Sequence, residues 1–362
     1  VAGAIVSLAD YAATWQTNNL TVTPNGTDKI GSQNENAILN TQGQSVTFVY
    51  VDSTQGWINT MDSTSNVRGA IPFIAATGGT ITTVCTDYKV HTFTGPGTFT
   101  VTNAGTPAGS DTVDYLVVAG GGGGSGASDN GTGGGGGGGF RTSDSTYAGP
   151  ALAVSCGVTV TATGYPIVIG GGGAGGAAGT NPGIVGVASS GLSITSAGGG
   201  YGSAYGTNGG NGGSGGGGGE DAPSGGTGNT PPVSPPQGNN GGAGAPVTPA
   251  RGTGGGGGAT EAGVTGSDPA SGRGGAGAPN AISGSAVSYA GGGGGGIYCG
   301  TTGAASPCGT GGAGKPIPAT SSNPGTVNRG GGGGGAGGQG SGAGIAGGNA
   351  GSGIVVIRYK FQ

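Results

Sequence analysis

Asp114-Tyr115-Leu116-Val117-Val118-Ala119-Gly120-Gly121-Gly122-Gly123-Gly124 is the stretch on which the fold turns. An apolar run passes straight into bare glycine. Continuous apolar runs of this length read as strands buried on both faces. The glycines that follow have no side chains with which to build a core. Either they are disordered, or the backbone itself does the packing. The same choice recurs at 133–139, 215–219, 254–258, 291–296 and 330–335, all of them pure glycine.

Composition favours order. Glycine supplies 101 of the 362 residues, and a glycine- and proline-rich chain without a period normally reads as low-complexity disorder. Disordered chains are also kept solvated by charge, yet here only 7% of residues are charged. A second apolar run, Ile354-Val355-Val356-Ile357-Arg358-Tyr359, closes the glycine region. A third, Val158-Thr159-Val160-Thr161, leads through Gly164-Tyr165-Pro166 to Ile167-Val168-Ile169. These bookends are expected in one sheet, which would fix both ends of the glycine region at one place.

The remaining chain reads as β-structure. Residues 1–75 form a first β module, with strands at Leu20-Thr21-Val22-Thr23 and Ser45-Val46-Thr47-Phe48-Val49-Tyr50-Val51 and a core anchor at Trp57. A weak helical pattern runs from Val6 to Trp15. Residues 76–113 form a β-hairpin connector, in which Tyr88-Lys89-Val90-His91-Thr92-Phe93 turns at Gly95-Pro96-Gly97 and pairs with Thr98-Phe99-Thr100-Val101. Residues 114–362 form the glycine-rich domain, closed by strands 115–119, 158–169 and 354–359. Collagen is excluded, because it needs glycine at every third position. A polyglycine II arrangement fits better. Such a left-handed helix makes no internal hydrogen bonds and leaves its N–H and C=O groups free for neighbouring helices. The expected fold class is therefore mainly β and irregular: small N-terminal β modules followed by packed polyglycine II helices with a few bookend strands.

Several functions are disfavoured. A net charge of −4 argues against a nucleic-acid partner. No apolar stretch approaches the roughly 20 residues of a membrane span, so no membrane insertion is expected. Gly309-Thr310-Gly311-Gly312-Ala313-Gly314-Lys315 matches a phosphate loop until Pro316 replaces the hydroxyl residue that would bind Mg²⁺. No metal site, cofactor or catalytic residue is expected. His91, the only histidine, reads as a surface or edge residue of a strand, and Glu220-Asp221 as solvated loop charge. Cys299 and Cys308 flank a short loop and either form a disulfide, which implies an oxidising extracellular setting, or stand as reduced small hydrophobes.

Tyr147, Tyr201, Tyr205, Tyr289 and Tyr298 sit beside glycine runs. Tyrosine gives rigid amphipathic contact area at low entropic cost. These five are the candidate contacts for a host surface protein or glycan. The alternative is that each plugs a glycine layer locally.

The borders Asp114-Tyr115-Leu116-Val117-Val118-Ala119 and Gly351-Ser352-Gly353-Ile354-Val355-Val356-Ile357-Arg358-Tyr359 resemble those of the glycine-rich domain of phage and other virus-encoded fibre proteins. Ile167-Val168-Ile169 and Ser193-Ile194-Thr195-Ser196-Ala197-Gly198 resemble its internal strands. The front module, from Asp10-Tyr11-Ala12-Ala13-Thr14-Trp15 to Gly56-Trp57, resembles a repeated module of structural proteins of marine and cyanobacterial phages. The glycine region also resembles the tip adhesins of T-even-like phages. The resemblance implies a virion tail-fibre or fibre-tip protein that is extracellular, homotrimeric and attached to a host receptor through loops between glycine-rich helices. The alternative is a self-assembling structural subunit of an extracellular or virion filament. An enzyme is not expected.

Overall fold

The computed structural model describes residues 2–63, 73–107, 109–145, 151–154, 156–221, 224–245, 251–298, 301–315, 321–338 and 344–362. The chain separates into two compact units, 1–71 and 72–362.

The first unit is a small β module. Strands β1 (Ile5–Ala9), β4 (Ser45–Asp52) and β5 (Gly56–Asp62) form an antiparallel sheet in the order β1-β4-β5. A separate pair joins β2 (Leu20–Val22) to β3 (Ala37–Leu39). Alternation along β4 buries Val46 and Phe48, which pack with Leu39, Trp15, Leu20 and Trp57. The weak helical pattern at Val6 gives way to a strand, because Ile5–Ala9 finds a full-length partner in β4. The Asp10 carboxylate then accepts N–H bonds from Thr14, Trp15 and Gly43 at 2.9–3.1 Å, turning the chain after β1.

The second unit is built round one sheet. It contains β7 (Thr80–Val84), β8 (Tyr88–Phe93), β10 (Thr112–Val118), β11 (Phe140–Thr142) and β18 (Ile354–Lys360), in the order β11-β10-β18-β8-β7, with β12 (Val158–Thr159) also on β10. The apolar runs on either side of the glycine region are thus adjacent antiparallel strands, Tyr115 opposite Ile357 and Val117 opposite Val355. Their unbroken apolar character follows from cover on both faces. Val113, Tyr115, Val117, Val355, Ile357 and Tyr359 enter one core cluster. Leu116, Val118, Ile354 and Val356 enter another.

The first cluster lies against a second sheet, β13-β9-β6, made of β13 (Gly164–Ile167), β9 (Gly97–Ala104) and β6 (Ile74–Thr77). This corrects the expected pairing of 88–93 with 98–101. The Gly95-Pro96-Gly97 turn carries the chain from one sheet to the facing one, so β8 pairs with β7 and β18 while β9 pairs with β13 and β6. The second cluster meets the hairpin of β16 (Ala278–Asn280) and β17 (Val287–Tyr289). One further pair, β14 (Ser189–Gly191) with β15 (Ile194–Ser196), completes the strands.

His91 is corrected from a surface residue to a fully buried one. Its Nδ1 lies 2.7 Å from the Gly78 carbonyl, so that nitrogen carries the proton. Nε2 therefore accepts from the Tyr359 hydroxyl at 3.1 Å. That hydroxyl in turn accepts from the Ala76 N–H at 3.1 Å. Burial lowers the histidine pKa, the Gly78 bond opposes the shift, and the Lys89 charge reinforces it.

Every regular element among the described residues is a β-strand. This overturns the expectation of a bundle of polyglycine II helices. The glycine runs are instead extended segments outside the assigned elements, and their backbone groups are spent on other segments rather than within a helix.

Candidate functional site: the glycine lattice and its edges

The glycine segments form a hydrogen-bonded lattice. Along 119–127 the N–H groups turn in sequence to three neighbours. Ala119, Gly122 and Ser125 donate to Gly139, Gly136 and Gly133. Gly120, Gly123 and Gly126 donate to Val187, Ile184 and Asn181, and Gly121, Gly124 and Ala127 donate to Gly351, Gly348 and Ile345. These bonds measure 2.8–3.2 Å. The carbonyls of the same segment accept from other runs, Gly120 from Gly199, Gly121 from Gly173 and Gly122 from Gly333. The 132–139 segment repeats the scheme, with Gly133, Gly134 and Gly135 donating to Ser203, Gly254 and Gly333. A central segment is therefore ringed by others, and each direction of bonding returns every third residue.

Close approach explains the composition. A Cβ built on Gly122 would strike the Gly200 carbonyl, and one on Gly124 the Gly334 carbonyl. Even alanine is excluded at such positions without movement of backbone. Side-chain burial cannot hold these segments, so net bond energies of about 1 kcal/mol each and dense packing must do so.

Where the runs end, hydroxyls take over the bonding. Thr132 Oγ1 lies 2.9 Å from both the Ser125 and Ala336 carbonyls and accepts from the Ala336 N–H at 3.0 Å. Thr253 Oγ1 lies 2.7 Å from the Gly296 carbonyl and 3.1 Å from the Thr132 carbonyl. Both threonines are fully buried. Thr253→Val keeps the shape and removes one of two donors from each carbonyl, since Gly296 keeps the Ser271 hydroxyl and Thr132 keeps the Gly296 N–H. The expected loss is about 0.5–1.5 kcal/mol, read as a lower thermal midpoint of the second unit. An unchanged midpoint would show that the hydroxyl is not needed there. The phosphate-loop look-alike belongs to the same lattice, since Gly312 donates to Gly332 at 2.8 Å and Gly314 to Gly303 at 3.0 Å.

The nominated tyrosines scatter. Tyr289 is buried in the core beneath Arg329, whose guanidinium carbon sits 5.1 Å from the ring centre. Tyr201 is half-buried, its ring over the Gly210 backbone. Tyr205 and Tyr298 come to one small cluster. Tyr205 donates to Asp221 Oδ2 at 3.3 Å, and Arg251 stacks 4.9 Å above the Tyr298 ring. Arg251 Nε is 3.9 Å from Glu220 Oε1, and the Gly131 N–H donates to Glu220 Oε2 at 2.8 Å. Glu220 is thus buried rather than solvated. Burial pushes its carboxyl above the usual range, against the pull of the Gly131 bond and Arg251. The Asp221 charge and hydrogen bond raise the Tyr205 pKa.

Tyr147 and Cys299 lie outside the described residues. Cys308 is half-buried and receives the Gly277 N–H at 3.1 Å, with Ser306 and Thr310 hydroxyls each 3.3 Å away. Burial alone would raise its thiol pKa, and these hydrogen bonds outweigh burial and lower it.

Attachment through loops between glycine-rich helices does not survive this geometry. The elements are strands and extended segments, and the tyrosines divide between core, lattice packing and an ion-pair cluster. Among the described residues, no helix is long and apolar enough to cross a membrane.

The architecture defines a backbone-packed scaffold closed by one sheet. The chain belongs to the glycine-rich domain family, whose model matches residues 93–360. No curated protein matches it.

Sequence reasoning missed one feature of the lattice, its open side. Segment 170–178 bonds inward only, and its outward residues Gly171, Ala174 and Ala177 are exposed. The sequence signal was weak: Ala174, Ala177 and Ala178 interrupt the glycines of this segment, but the enclosed segment 119–127 also carries the buried small residues Ala119, Ser125 and Ala127.

Proposed function

We propose that the chain is a self-assembling structural subunit of an extracellular or virion filament, in which the glycine lattice is the stiff block. The observation that carries this reading is that the lattice is built from backbone bonds and is not closed at its rim. Central segments are surrounded, whereas outer ones such as 170–178 leave groups without partners among the described residues. Rows of unpaired backbone donors and acceptors are templates for another chain. The resemblance of the borders at 114–119 and 351–359 to those of virus-encoded fibre proteins supports a virion-borne filament in particular.

Sedimentation velocity and electron microscopy of the full chain test the reading. The expected result is association that grows with concentration and yields extended particles. A chain that stays monomeric at every concentration up to its solubility limit would overturn it.

A further inference from the structure

We propose that segment 170–178, flanked by 183–187, is the surface through which two copies of this chain first join, same edge to same edge. The inference rests on the self-assembling reading and names the partner and contact that reading requires.

The segment is bonded on one side only. Its inward groups are spent: Gly173 and Gly176 donate to Gly121 and Gly124 at 2.9 Å. The carbonyls of Gly171 and Ala174 accept from Val187 and Ile184, and those of Gly173 and Gly176 from Ala350 and Gly347. The N–H groups of Gly171, Ala174 and Ala177 meet no acceptor among the described residues. Their three-residue spacing is the one by which 119–127 addresses each of its neighbours. The carbonyls of Gly172 and Gly175 likewise receive no donor among the described residues. The open side therefore carries both halves of the bonding pattern, which is what a contact between identical surfaces requires.

Space and polarity agree. A Cβ built on Gly171 meets nothing within 4 Å, whereas one on Gly172 or Gly173 would strike backbone. Beside the segment stand Ile184, Val185 and Val187, exposed at 56%, 47% and 57%, and Val168 at 48%. No charged residue occurs anywhere from 145 to 219. An occupant must present carbonyls at the lattice spacing, carry no bulky side chain along the contact and tolerate an apolar, uncharged rim. The same edge of a second copy meets all three conditions.

The test compares the full-length chain with three variants by sedimentation velocity, each checked for the parent's thermal midpoint. Ala174→Asp places a charge in the contact, and Ala174→Pro removes one outward N–H that has no internal role. Each is expected to weaken association by roughly 100-fold. Val327→Asp, at a residue 66% exposed on another segment, is the control and should associate as the parent does. If the parent associates and the two Ala174 variants associate equally well, this edge is wrong while the filament reading stands. If the parent does not associate, both fall. Should an Ala174 variant fail to fold, Ala174→Cys decides the matter. A 174-to-174 cross-link between copies, identified by mass spectrometry, supports the edge, and its absence in associated material overturns it.

Discussion

Gly135→Ala is expected to unfold the second unit well below the parent's melting temperature. A Cβ at this position would strike the Gly122 carbonyl, with Gly122 and Gly123 backbone carbons behind it. None of these atoms belongs to a side chain that can rotate away. The added methyl must push apart two central segments that are themselves hydrogen-bonded on all sides. Overpacking of a dense core costs typically 1–3 kcal/mol and occasionally more, and here the obstruction is main chain, so about 3 kcal/mol or more is expected. For a unit of this size that is a fall in midpoint of roughly 5 °C or more. Gly171→Ala is the matched control, since its Cβ enters open space. It should change stability by no more than about 0.5 kcal/mol. Equal midpoints for parent, Gly135→Ala and Gly171→Ala would mean that the lattice is not close-packed at its centre.

Tyr359→Phe is expected to be nearly as damaging and to change how stability depends on pH. The hydroxyl joins three elements, because it accepts from Ala76 in β6 and donates to His91 in β8 while belonging to β18. Its removal leaves the half-buried Ala76 N–H and the buried His91 nitrogen without this partner. The buried nitrogen costs about 1–3 kcal/mol and the half-buried N–H about 1 kcal/mol, so a total of about 2–4 kcal/mol is expected. The parent itself should weaken in mild acid. The folded pKa of His91 is depressed, chiefly by burial, so the unfolded chain takes up a proton first. Stability from this residue is complete above the unfolded value of about 6.5. It falls as pH drops below that value and goes on falling until the folded pKa is passed. Denaturant titrations of parent and His91→Leu across this range measure the effect. The variant should be less stable at neutral pH and show a shallower decline towards acid. Parallel declines would assign the acid sensitivity to other groups.

The sheet and the lattice differ in how far the sequence discloses them. Tyr115 to Ala119 and Ile354 to Ile357 announce themselves because cover on both faces demands apolar residues at every position, a local signal. Low charge around the glycine runs likewise points to order. What the runs do with their backbones is not local. A glycine carries no side chain to name its partner, so nothing in 120–124 says that it meets 136, 184 and 348. The expectation of helices failed for that reason, and attachment loops failed with it. His91 and Glu220 were misplaced because their partners are distant in sequence: Tyr359 is 268 residues from His91, and Gly131 is 89 from Glu220. The β8–β9 hairpin failed on a different ground. A glycine-proline-glycine turn reverses a chain within a sheet or hands it to the facing sheet, and only the partners of each strand decide which.

The neighbouring positions of β10 and β18 also set a mechanical property. Thr112 and Lys360 lie at the same end of an antiparallel pair, with Asp114 opposite Arg358 and Val118 opposite Ile354. Tension applied directly at Thr112 and Lys360 would enter and leave at this fork. It would peel the two strands apart one rung at a time, starting where Arg358 grips Asp114 at 2.7 Å. The glycine block hangs beyond the fork, outside the load path, and bears no strain until the zipper has run its length.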